Sequence, residues 1–405
     1  MSHSIVIAGA GLAGATAART LREEGFDGEI TLIGSEPDQP YERPPLSKGL
    51  LLGTTPRDEI FVHTPSWYAE SSIDLRTAST VVDIDRKAHH VTTDSGDRIH
   101  YDKLLLTTGS SPRRLTVPGA DLGGVHYLRT LADHDRLSAV LGDGVHLVII
   151  GAGWIGLEVA AAARHRGATV TIVETAHLPL LAVLGEQVAR VFDQLHRDHG
   201  VTFHYNAQVA QLRGHESVRS VELADGTVLS ADAVLVGIGA RPNDELAVRA
   251  GLDVGDGVVV DAGHRTSDPD IYAAGDVASA YHPVFERHIR TEHWANALDG
   301  GPEAARAMLG MPTPTDRLPF FYTDQYDLGA EYAGFAAPGD ADRIVFRGDP
   351  ASREFIAFWT NHGRVLAGMN VNVWDVSDHI QNLVRSRRAI DLGKLANPDI
   401  ALAEL

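Results

Sequence analysis

The chain of 405 residues contains no cysteine. This absence excludes disulfide bonds, thiolate metal sites, an iron–sulfur cluster held by the chain itself and a redox-active cysteine pair. We therefore expect no disulfide chemistry and no thiolate metal site, and we predict no bound metal in this protein.

Basic charge is also scarce, with 35 Lys and Arg against 54 Asp and Glu and a net charge of −19. Binding to nucleic acid or to an anionic membrane surface needs a basic footprint, so we expect neither. No apolar run approaches the roughly 18 residues of a membrane span, and no signal peptide precedes the first predicted strand. These absences predict a cytoplasmic protein, and the length is enough for two or three domains.

Glycine is plentiful, and its spacing provides the first positive signal. A short β-branched run ends in Gly9-x-Gly11-x-x-Gly14, and a helical pattern follows over residues 15–24. In such a unit the first glycine allows the turn, the second lets a pyrophosphate approach, and the third lets the helix pack on the strand. The helix N-terminus then offers N–H groups to the phosphates. The pattern predicts a dinucleotide site, with a plain glycine-rich turn as the alternative.

An acidic position supports the dinucleotide interpretation. The next predicted strand ends near Ser35 and Glu36, roughly 20 residues past the turn, where a carboxylate meets a ribose hydroxyl in such sites.

A second copy of the motif, Gly151-x-Gly153-x-x-Gly156, follows another buried strand, and Glu174 stands 23 positions after its first glycine. Two fingerprints predict two nucleotide-binding folds; a duplication that binds one nucleotide is the alternative. An acid on the ribose 2′-hydroxyl favours NAD, and residues 175–177 contain no arginine for an NADP phosphate.

Other segments give coarser predictions. The proline-rich segment 37–48 predicts an ordered extended loop that enters a short helix after Lys48, and a solvated surface lysine is the alternative for that residue. Residues 73–92 alternate in the manner of a small antiparallel insertion. Residues 271–278 predict a strand that leads into a helix, with Asp276 as a candidate N-cap. Residues 320–374 are aromatic and strand-like, and a helix is predicted near 378–388.

The order of these motifs resembles the two-dinucleotide-binding flavoproteins. Segment 44–48, Pro-Pro-Leu-Ser-Lys, narrows the resemblance to the putidaredoxin reductase family, whose FAD-dependent NADH:ferredoxin reductases supply cytochrome P450s and Rieske-type oxygenases. The resemblance covers nearly the whole chain, including segment 321–327 in the aromatic, strand-like stretch.

The resemblance implies an α/β fold with two Rossmann-like dinucleotide-binding domains of the glutathione-reductase type and a C-terminal α+β domain. The FAD-binding domain would be split over residues 1–112 and 242–318. The NAD-binding domain would span 113–241, and the C-terminal domain 319–405.

The resemblance also implies the site residues. Lys48 would lie beside the flavin near N5, paired with Glu158, and these two would form the catalytic pair. Val81 would meet the adenine through its backbone, Arg129 the FAD phosphates and Asp276 the ribityl chain. The cofactor-binding positions implied for FAD are Gly9, Gly11, Ala13, Gly14, Ser35, Glu36, Arg43, Lys48, Val81, Thr108, Gly109, Arg129, Gly275, Asp276 and Trp294. Those implied for NADH are Gly151, Gly153, Ile155, Gly156, Glu158, Glu174 and Gly239.

Two positions depart from the family pattern. Many members have Asp where this chain has Ser35, so Glu36 would make the ribose contact. Many also have Trp where this chain has Tyr322, near the expected electron exit.

The implied function is transfer of electrons from NADH through FAD to a [2Fe–2S] ferredoxin, which supplies a cytochrome P450 or Rieske-type oxygenase. The alternatives are an NADH-dependent diaphorase or quinone reductase, and an NADH-sensing flavoprotein resembling apoptosis-inducing factor. Related disulfide reductases need a cysteine that this chain lacks. We expect a monomer. Arg385, Arg387 and Arg388 are candidate ferredoxin contacts, with a solvated helix face as the alternative.

Overall fold

The computed structural model describes residues 3–313 and 316–405, and these residues form two compact units. The first unit comprises the described residues of Met1–Glu42, Arg57–Ser111 and Arg241–Phe320. The second unit comprises Arg43–Pro56, Pro112–Ala240 and Phe321–Leu405. Each unit therefore combines three separate stretches of the chain. The predicted three-domain division, with its boundaries, stays a prediction.

A parallel sheet of five strands organises the first unit. In spatial order its strands are Ile271–Ala273, Lys103–Leu106, Ser4–Ala8, Glu29–Ile33 and Ile73–Arg76. Every residue of Ser4–Ala8 is buried, with Ile5 and Ile7 in one core cluster and Val6 and Ala8 in another. A parallel sheet covered on both faces needs a continuous apolar strand of this kind.

Two helices pack tightly beside this sheet. Helix Leu12–Glu23 follows the first strand, and helix Trp294–Met308 lies against it. A Cβ atom at Gly301 would lie 2.2 Å from the carbonyl oxygen of Ala13, so the close approach of the helices depends on glycine at this position.

Smaller elements complete the first unit. Its other helices are Pro65–Glu70 and Glu245–Arg249, with 3₁₀ turns at Arg57–Ile60 and Gly275–Val277. A three-stranded antiparallel sheet contains Val81–Asp85, His90–Thr93 and Arg98–His100. A four-stranded sheet contains Val254–Gly255, Gly257–Val260, Ala278–His282 and Arg287–Ile289.

The antiparallel insertion predicted for residues 73–92 is wrong at its start. Ile73–Arg76 pairs in parallel with Glu29–Ile33 as the edge strand of the main sheet, and the insertion begins at Val81–Asp85. An edge strand buries fewer of its residues than a central strand, so its alternating pattern is the same as that of a half-exposed antiparallel strand.

The helix predicted after residues 271–278 is also wrong. Ile271–Ala273 is followed by the 3₁₀ turn Gly275–Val277 and then by strand Ala278–His282, which pairs with Gly257–Val260. Tertiary pairing overrides the local helical preference of this alanine-containing segment. Asp276 therefore does not cap an α-helix.

The second unit contains another parallel sheet of five strands. In spatial order its strands are Thr202–His204, Thr169–Val173, His146–Ile150, Ala233–Val236 and Val125–His126. The helices of its middle stretch are Leu131–Val140, Trp154–His165 and Leu181–Asp198, the last interrupted at Gly185, whose φ is 71°. A three-stranded antiparallel sheet contains Val209–Gly214, Val218–Leu223 and Val228–Ser230.

The proline-rich loop belongs to the second unit, although the stretches on either side of it belong to the first. It contains a 3₁₀ turn, Pro44–Leu46, and the predicted short helix is confirmed at Gly49–Leu52. The chain also passes between units within two short strands, Ser110–Pro112 and Ala240–Pro242.

The C-terminal stretch forms a five-stranded antiparallel sheet. In spatial order its strands are Phe320–Gln325, Leu328–Gly334, Arg364–Val371, Glu354–Asn361 and Arg343–Asp349. Helices Ser377–Ser386 and Leu392–Ala396 and a 3₁₀ turn, Leu402–Glu404, follow it. The strands and the closing helix predicted for this region are confirmed. In the described parts of the chain, no helix is long and apolar enough to cross a membrane.

One buried histidine predicts how stability depends on pH. The side chain of His196 is fully buried, and burial lowers its pKa from 6.5 to about 4. The imidazole binds a proton more tightly in the unfolded chain than in the folded one. The contribution of neutral His196 to the free energy of unfolding is therefore complete above about pH 6.5 and is lost as the pH falls towards about 4. Thermal unfolding midpoints measured across this range at one scan rate should fall with pH. His196→Gln cannot take up the proton, so its curve should be flatter, and an equal slope in both proteins would contradict the assignment.

Candidate flavin and nicotinamide nucleotide site

The first glycine-rich turn is closed against its own backbone and open at its centre. A Cβ atom at Gly9, where φ is 124°, would lie 2.1 Å from the carbonyl oxygen of Thr107, and one at Gly14 would lie 2.2 Å from that of Gly9. At Gly11 an added Cβ would meet no atom of the described residues within 4 Å. Gly11 is the N-cap of helix Leu12–Glu23, and no side chain of the described residues caps that helix. The first-turn N–H groups therefore face a space that an anion can enter.

The second turn repeats this geometry. A Cβ atom at Gly151, where φ is 101°, would lie 2.3 Å from the carbonyl oxygen of Gly237, and one at Gly156 would lie 2.4 Å from that of Gly151. Gly153 has open space within the same 4 Å limit in the described structure, and the helix it begins has no side-chain cap there. The two turns thus have the same local fit to a pyrophosphate.

The acid after each second strand is held by hydrogen bonds. Glu174 accepts from the backbone N–H groups of Ala152, at 2.7 Å, and Ala176, at 2.9 Å. Because Ala152 lies inside the second glycine turn, the carboxylate is fixed beside that turn. In the first unit Glu36 accepts a hydrogen bond of 2.5 Å from the Tyr41 hydroxyl, and the neighbouring Ser35 is exposed.

The late Gly275-Asp276 turn lies beside the first glycine turn. A Cβ atom at Gly275, where φ is 73°, would be 3.2 Å from the Cβ of Ala13. Asp276 is buried, and its carboxylate accepts a hydrogen bond of 2.8 Å from Ser110 Oγ. The chain thus returns to the first turn more than 250 residues later and brings an acidic side chain with it.

Four further predicted residues of the first unit lie at or beside the ends of strands or helices. Thr108 donates to the carbonyl oxygen of Asn243 at 2.7 Å, and Gly109 follows with a φ of 70°. Trp294 is the first residue of helix Trp294–Met308. Burial raises the pKa of Glu42, and a hydrogen bond with Trp294 partly opposes that effect. Val81 begins the antiparallel sheet of this unit.

A buried ion pair joins Lys48 and Glu158 in the second unit. Lys48 Nζ lies 2.7 Å from Glu158 Oε2, and the two side chains are 15% and 4% exposed. Ser47 donates to the same carboxylate oxygen at 2.5 Å, and Thr323 donates to Oε1 at 2.9 Å. The predicted pairing of these two charged side chains is thus present in the structure.

The surroundings of this pair are aromatic and acidic. Lys48 Nζ lies 5.5 Å from the centre of the Tyr322 ring, within the range of a cation–π contact. Asp324 nearby is exposed on one side, and partial loss of hydration raises its pKa, an effect that Lys48 opposes and the Glu158 carboxylate reinforces.

The remaining predicted residues of the second unit are Arg43, Arg129, Ile155 and Gly239. Arg43 donates a hydrogen bond of 2.5 Å to the backbone carbonyl of Arg129. Ile155 is in the first turn of helix Trp154–His165, with 42% of its surface exposed. Gly239 has a φ of 97°.

The predicted site residues divide between the two units. Those in the first unit are Gly9, Gly11, Ala13, Gly14, Ser35, Glu36, Val81, Thr108, Gly109, Gly275, Asp276 and Trp294. Those in the second are Arg43, Lys48, Arg129, Gly151, Gly153, Ile155, Gly156, Glu158, Glu174 and Gly239.

Sequence reasoning missed four side chains that orient these groups, namely Tyr41, Ser47, Ser110 and Thr323. Ser47 adjoins Lys48 and was within reach of prediction. Thr323 and Glu158 are 165 positions apart, so no local sequence pattern could predict the contact between them. Among the described residues, no group of three or more His, Asp or Glu side chains is arranged to hold a metal ion.

Residues 3–301 match the family model described as pyridine nucleotide-disulphide oxidoreductase. That match covers more than half of the chain. This chain belongs to the pyridine nucleotide-disulphide oxidoreductase family.

Individual relatives place the reductase more narrowly. It is 40% identical over 368 residues to a probable ferredoxin reductase of Castellaniella defragrans, and the matched region covers 90% of each protein. It is 39% identical over 399 residues to the ferredoxin–NAD(+) reductase component of the anthranilate 1,2-dioxygenase system of Burkholderia cepacia, which covers 98% of each. The solved structure of a covalent putidaredoxin reductase–putidaredoxin complex matches with a TM-score of 0.96 and 35% identity, over 99% of this chain and 97% of that one.

These findings confirm the predicted family and the α/β fold class. Residues 320–405 match the model described as reductase C-terminal. The reductase is an oxidoreductase of the ferredoxin reductase type, and its family implies a flavin and a nicotinamide nucleotide as cofactors.

The open space at the centre of each turn predicts that an alanine there weakens the binding of one nucleotide and leaves the binding of the other unchanged. Gly11 and Gly153 have negative φ angles that alanine adopts readily, and their Cβ atoms would meet no described atom, so both alanine variants of the reductase should fold normally. Gly11→Ala should be purified with less flavin, because the methyl group enters the space that a phosphate would use. Gly153→Ala should keep its flavin and bind the nicotinamide nucleotide at least about tenfold more weakly, the effect of losing one charge-assisted hydrogen bond.

Each variant serves as the control for the other. Visible absorbance gives the flavin content, nucleotide titration gives the dissociation constant, and thermal unfolding checks the fold. Full flavin content in Gly11→Ala together with normal nucleotide binding in Gly153→Ala would contradict the interpretation of both turns.

Proposed function

We propose that this reductase carries electrons from NADH through FAD to a [2Fe–2S] ferredoxin, which supplies a cytochrome P450 or Rieske-type oxygenase. The observation that carries the proposal is the buried Lys48–Glu158 pair, 2.7 Å apart, in a chain without cysteine. Bound FAD supplies the step between carriers, because it takes two electrons as a hydride and gives them up singly.

In this proposal the first glycine turn and the Asp276 turn hold FAD. Gly11 leaves room for the pyrophosphate above an uncapped helix N-terminus, which favours negative charge. Glu36 takes the ribose contact in place of Ser35, and the Tyr41 hydroxyl orients its carboxylate. Asp276, oriented by Ser110, binds the ribityl chain.

The second glycine turn holds NADH. Glu174 is anchored to the backbone of this turn through Ala152, so its carboxylate is in place for a ribose 2′-hydroxyl and repels a 2′-phosphate. Selectivity for NADH over NADPH therefore follows from charge at one position.

Lys48 and Glu158 act on the hydride step through their charges and form no covalent bond with the substrate. A positive charge held beside the position where negative charge develops stabilises the transition state. A buried ammonium group would be costly alone, and Glu158 compensates it. No side chain needs to act as a nucleophile.

The test is anaerobic stopped-flow reduction of the purified flavoprotein with NADH and with NADPH, followed by mixing with a panel of [2Fe–2S] ferredoxins and with a quinone. Rapid reduction by NADH and rapid reoxidation by a ferredoxin are expected. Faster turnover with the quinone would favour a diaphorase, and a long-lived reduced complex that dimerises would favour an NADH sensor. A cytoplasmic location and a monomeric state stay predictions.

A second prediction concerns the ferredoxin contact. Residues 341–394 contain eight Lys or Arg and six Asp or Glu, whereas the whole chain is strongly acidic. Arg387 and Arg388 are exposed at the end of helix Ser377–Ser386, and Arg385 is half-buried and donates to Gln381. Replacing all three with alanine should raise the apparent KM for ferredoxin severalfold at low salt, because complementary charge mainly speeds association.

Two controls accompany the triple alanine variant. NADH-to-ferricyanide turnover should be unchanged, and a variant with lysine at all three positions should retain the low KM. An unchanged KM in the alanine variant at low salt would overturn the arginine contact and leave the electron-transfer proposal standing.

A further inference from the structure

A continuous chain of hydrogen bonds, buried as far as His196, leads away from Glu158 into the C-terminal sheet. Thr323 Oγ1 lies 2.9 Å from Glu158 Oε1, and Gln325 Nε2 lies 3.0 Å from Thr323 Oγ1. His196 Nε2 lies 2.8 Å from Gln325 Oε1, and Tyr326 Oη lies 3.3 Å from His196 Nδ1. The chain therefore joins helix Trp154–His165, strand Phe320–Gln325 and helix Leu181–Asp198.

The direction of the first bonds follows from the charge of Glu158. A carboxylate paired with Lys48 only accepts hydrogen bonds, so the Thr323 hydroxyl must donate its one proton to it. Thr323 must then accept from its other neighbour, which fixes the amide of Gln325 with its NH₂ group towards Thr323.

The remaining bonds are set by this amide. Its oxygen faces His196, so the proton of the imidazole is on Nε2, and Nδ1 accepts from the Tyr326 hydroxyl. A neutral ring is needed for this arrangement, and the pKa of His196, lowered to about 4 by burial, agrees with it. Every donor in the chain thus points towards Glu158.

Because these hydrogen-bonded side chains are buried, the loss of any one of their hydrogen bonds is costly. Glu158 is 4% exposed, Thr323 and Gln325 are 1% exposed, and His196 has no exposed surface. A polar group buried this deeply is costly when it loses its partner, and bonds in series strengthen one another. Substitution of any residue in this series is therefore expected to change the hydrogen bonding of the Glu158 carboxylate at its end.

We propose that Thr323, Gln325 and His196 are positioning residues that hold the carboxylate of Glu158 in the orientation that presents Oε2 to Lys48. This inference rests on the proposed function, because it gives Lys48 and Glu158 their role in the hydride step. It assigns to the C-terminal domain a part in the reaction with NADH.

The test measures the first-order rate constant of flavin reduction in anaerobic stopped flow at saturating NADH. Thr323→Val removes the hydroxyl at almost constant volume, and the rate should fall about tenfold, the effect of one lost hydrogen bond to a charged group. The dissociation constant for NADH should not change, and Thr323→Ser should restore the rate. Thr360→Val is the matched control, since Thr360 is equally buried in the same sheet and donates to the carbonyl of Arg343.

A double-mutant cycle distinguishes a chain from separate packing effects. Gln325→Leu should lower the rate less than Thr323→Val does. The double variant should be no slower than Thr323→Val alone, because Gln325 acts on Glu158 through Thr323. Multiplying effects of the two changes would overturn the proposal, as would a slow Thr360→Val control. If Thr323→Val folds poorly, Gln325→Leu decides, and a normal rate in that variant overturns the proposal.

A structural readout is independent of turnover. In a crystal structure of Thr323→Val, the Glu158 carboxylate oxygens should be displaced by more than about 0.5 Å, the tolerance of a well-positioned catalytic group. An unmoved carboxylate would overturn the proposal. Failure of NADH to reduce the unmodified protein would instead overturn the proposed function, so the two failures are distinguishable.

Discussion

The burial of one ion pair constrains much of the second unit. Lys48 and Glu158 are taken out of water, and their mutual attraction does not by itself compensate the loss of hydration. The remaining lone pairs of the carboxylate must be satisfied, which Ser47 and Thr323 do from two different stretches of chain. The loop before helix Gly49–Leu52 and the first strand of the C-terminal sheet are therefore held to helix Trp154–His165 by polar contacts as well as packing.

The parts of the fold that could be predicted are those whose physical cause is local. A tight turn needs glycine where φ is positive, so Gly9 and Gly151 mark both turns in the sequence itself. After their first residues, Ser4 and His146, both central strands are buried and apolar, and the middle glycine of each turn is the N-cap of the helix that follows. The fold class and the Lys48–Glu158 pairing followed from these motifs together with the family resemblance.

The parts that could not be predicted depend on partners distant in sequence. Ile73–Arg76 alternates like an antiparallel strand and becomes a parallel edge strand because Glu29–Ile33 is available. Ala278–His282 becomes a strand because Gly257–Val260 accepts it. The hydroxyl of Thr323 resembles that of any strand threonine until Glu158 is placed beside it. Neither the strand pairings nor the contact between Thr323 and Glu158 can be read from the local amino-acid composition.

The interleaving of the two units has a consequence for biosynthesis. The first unit needs strand Ile271–Ala273 and helix Trp294–Met308, and the second needs the stretch from Phe321 onward as well as the loop at 43–56. During translation the Lys48 loop leaves the ribosome about 275 residues before Thr323 does. Neither unit can close before its last stretch has left the ribosome, so this chain is not expected to fold domain by domain from its N-terminus.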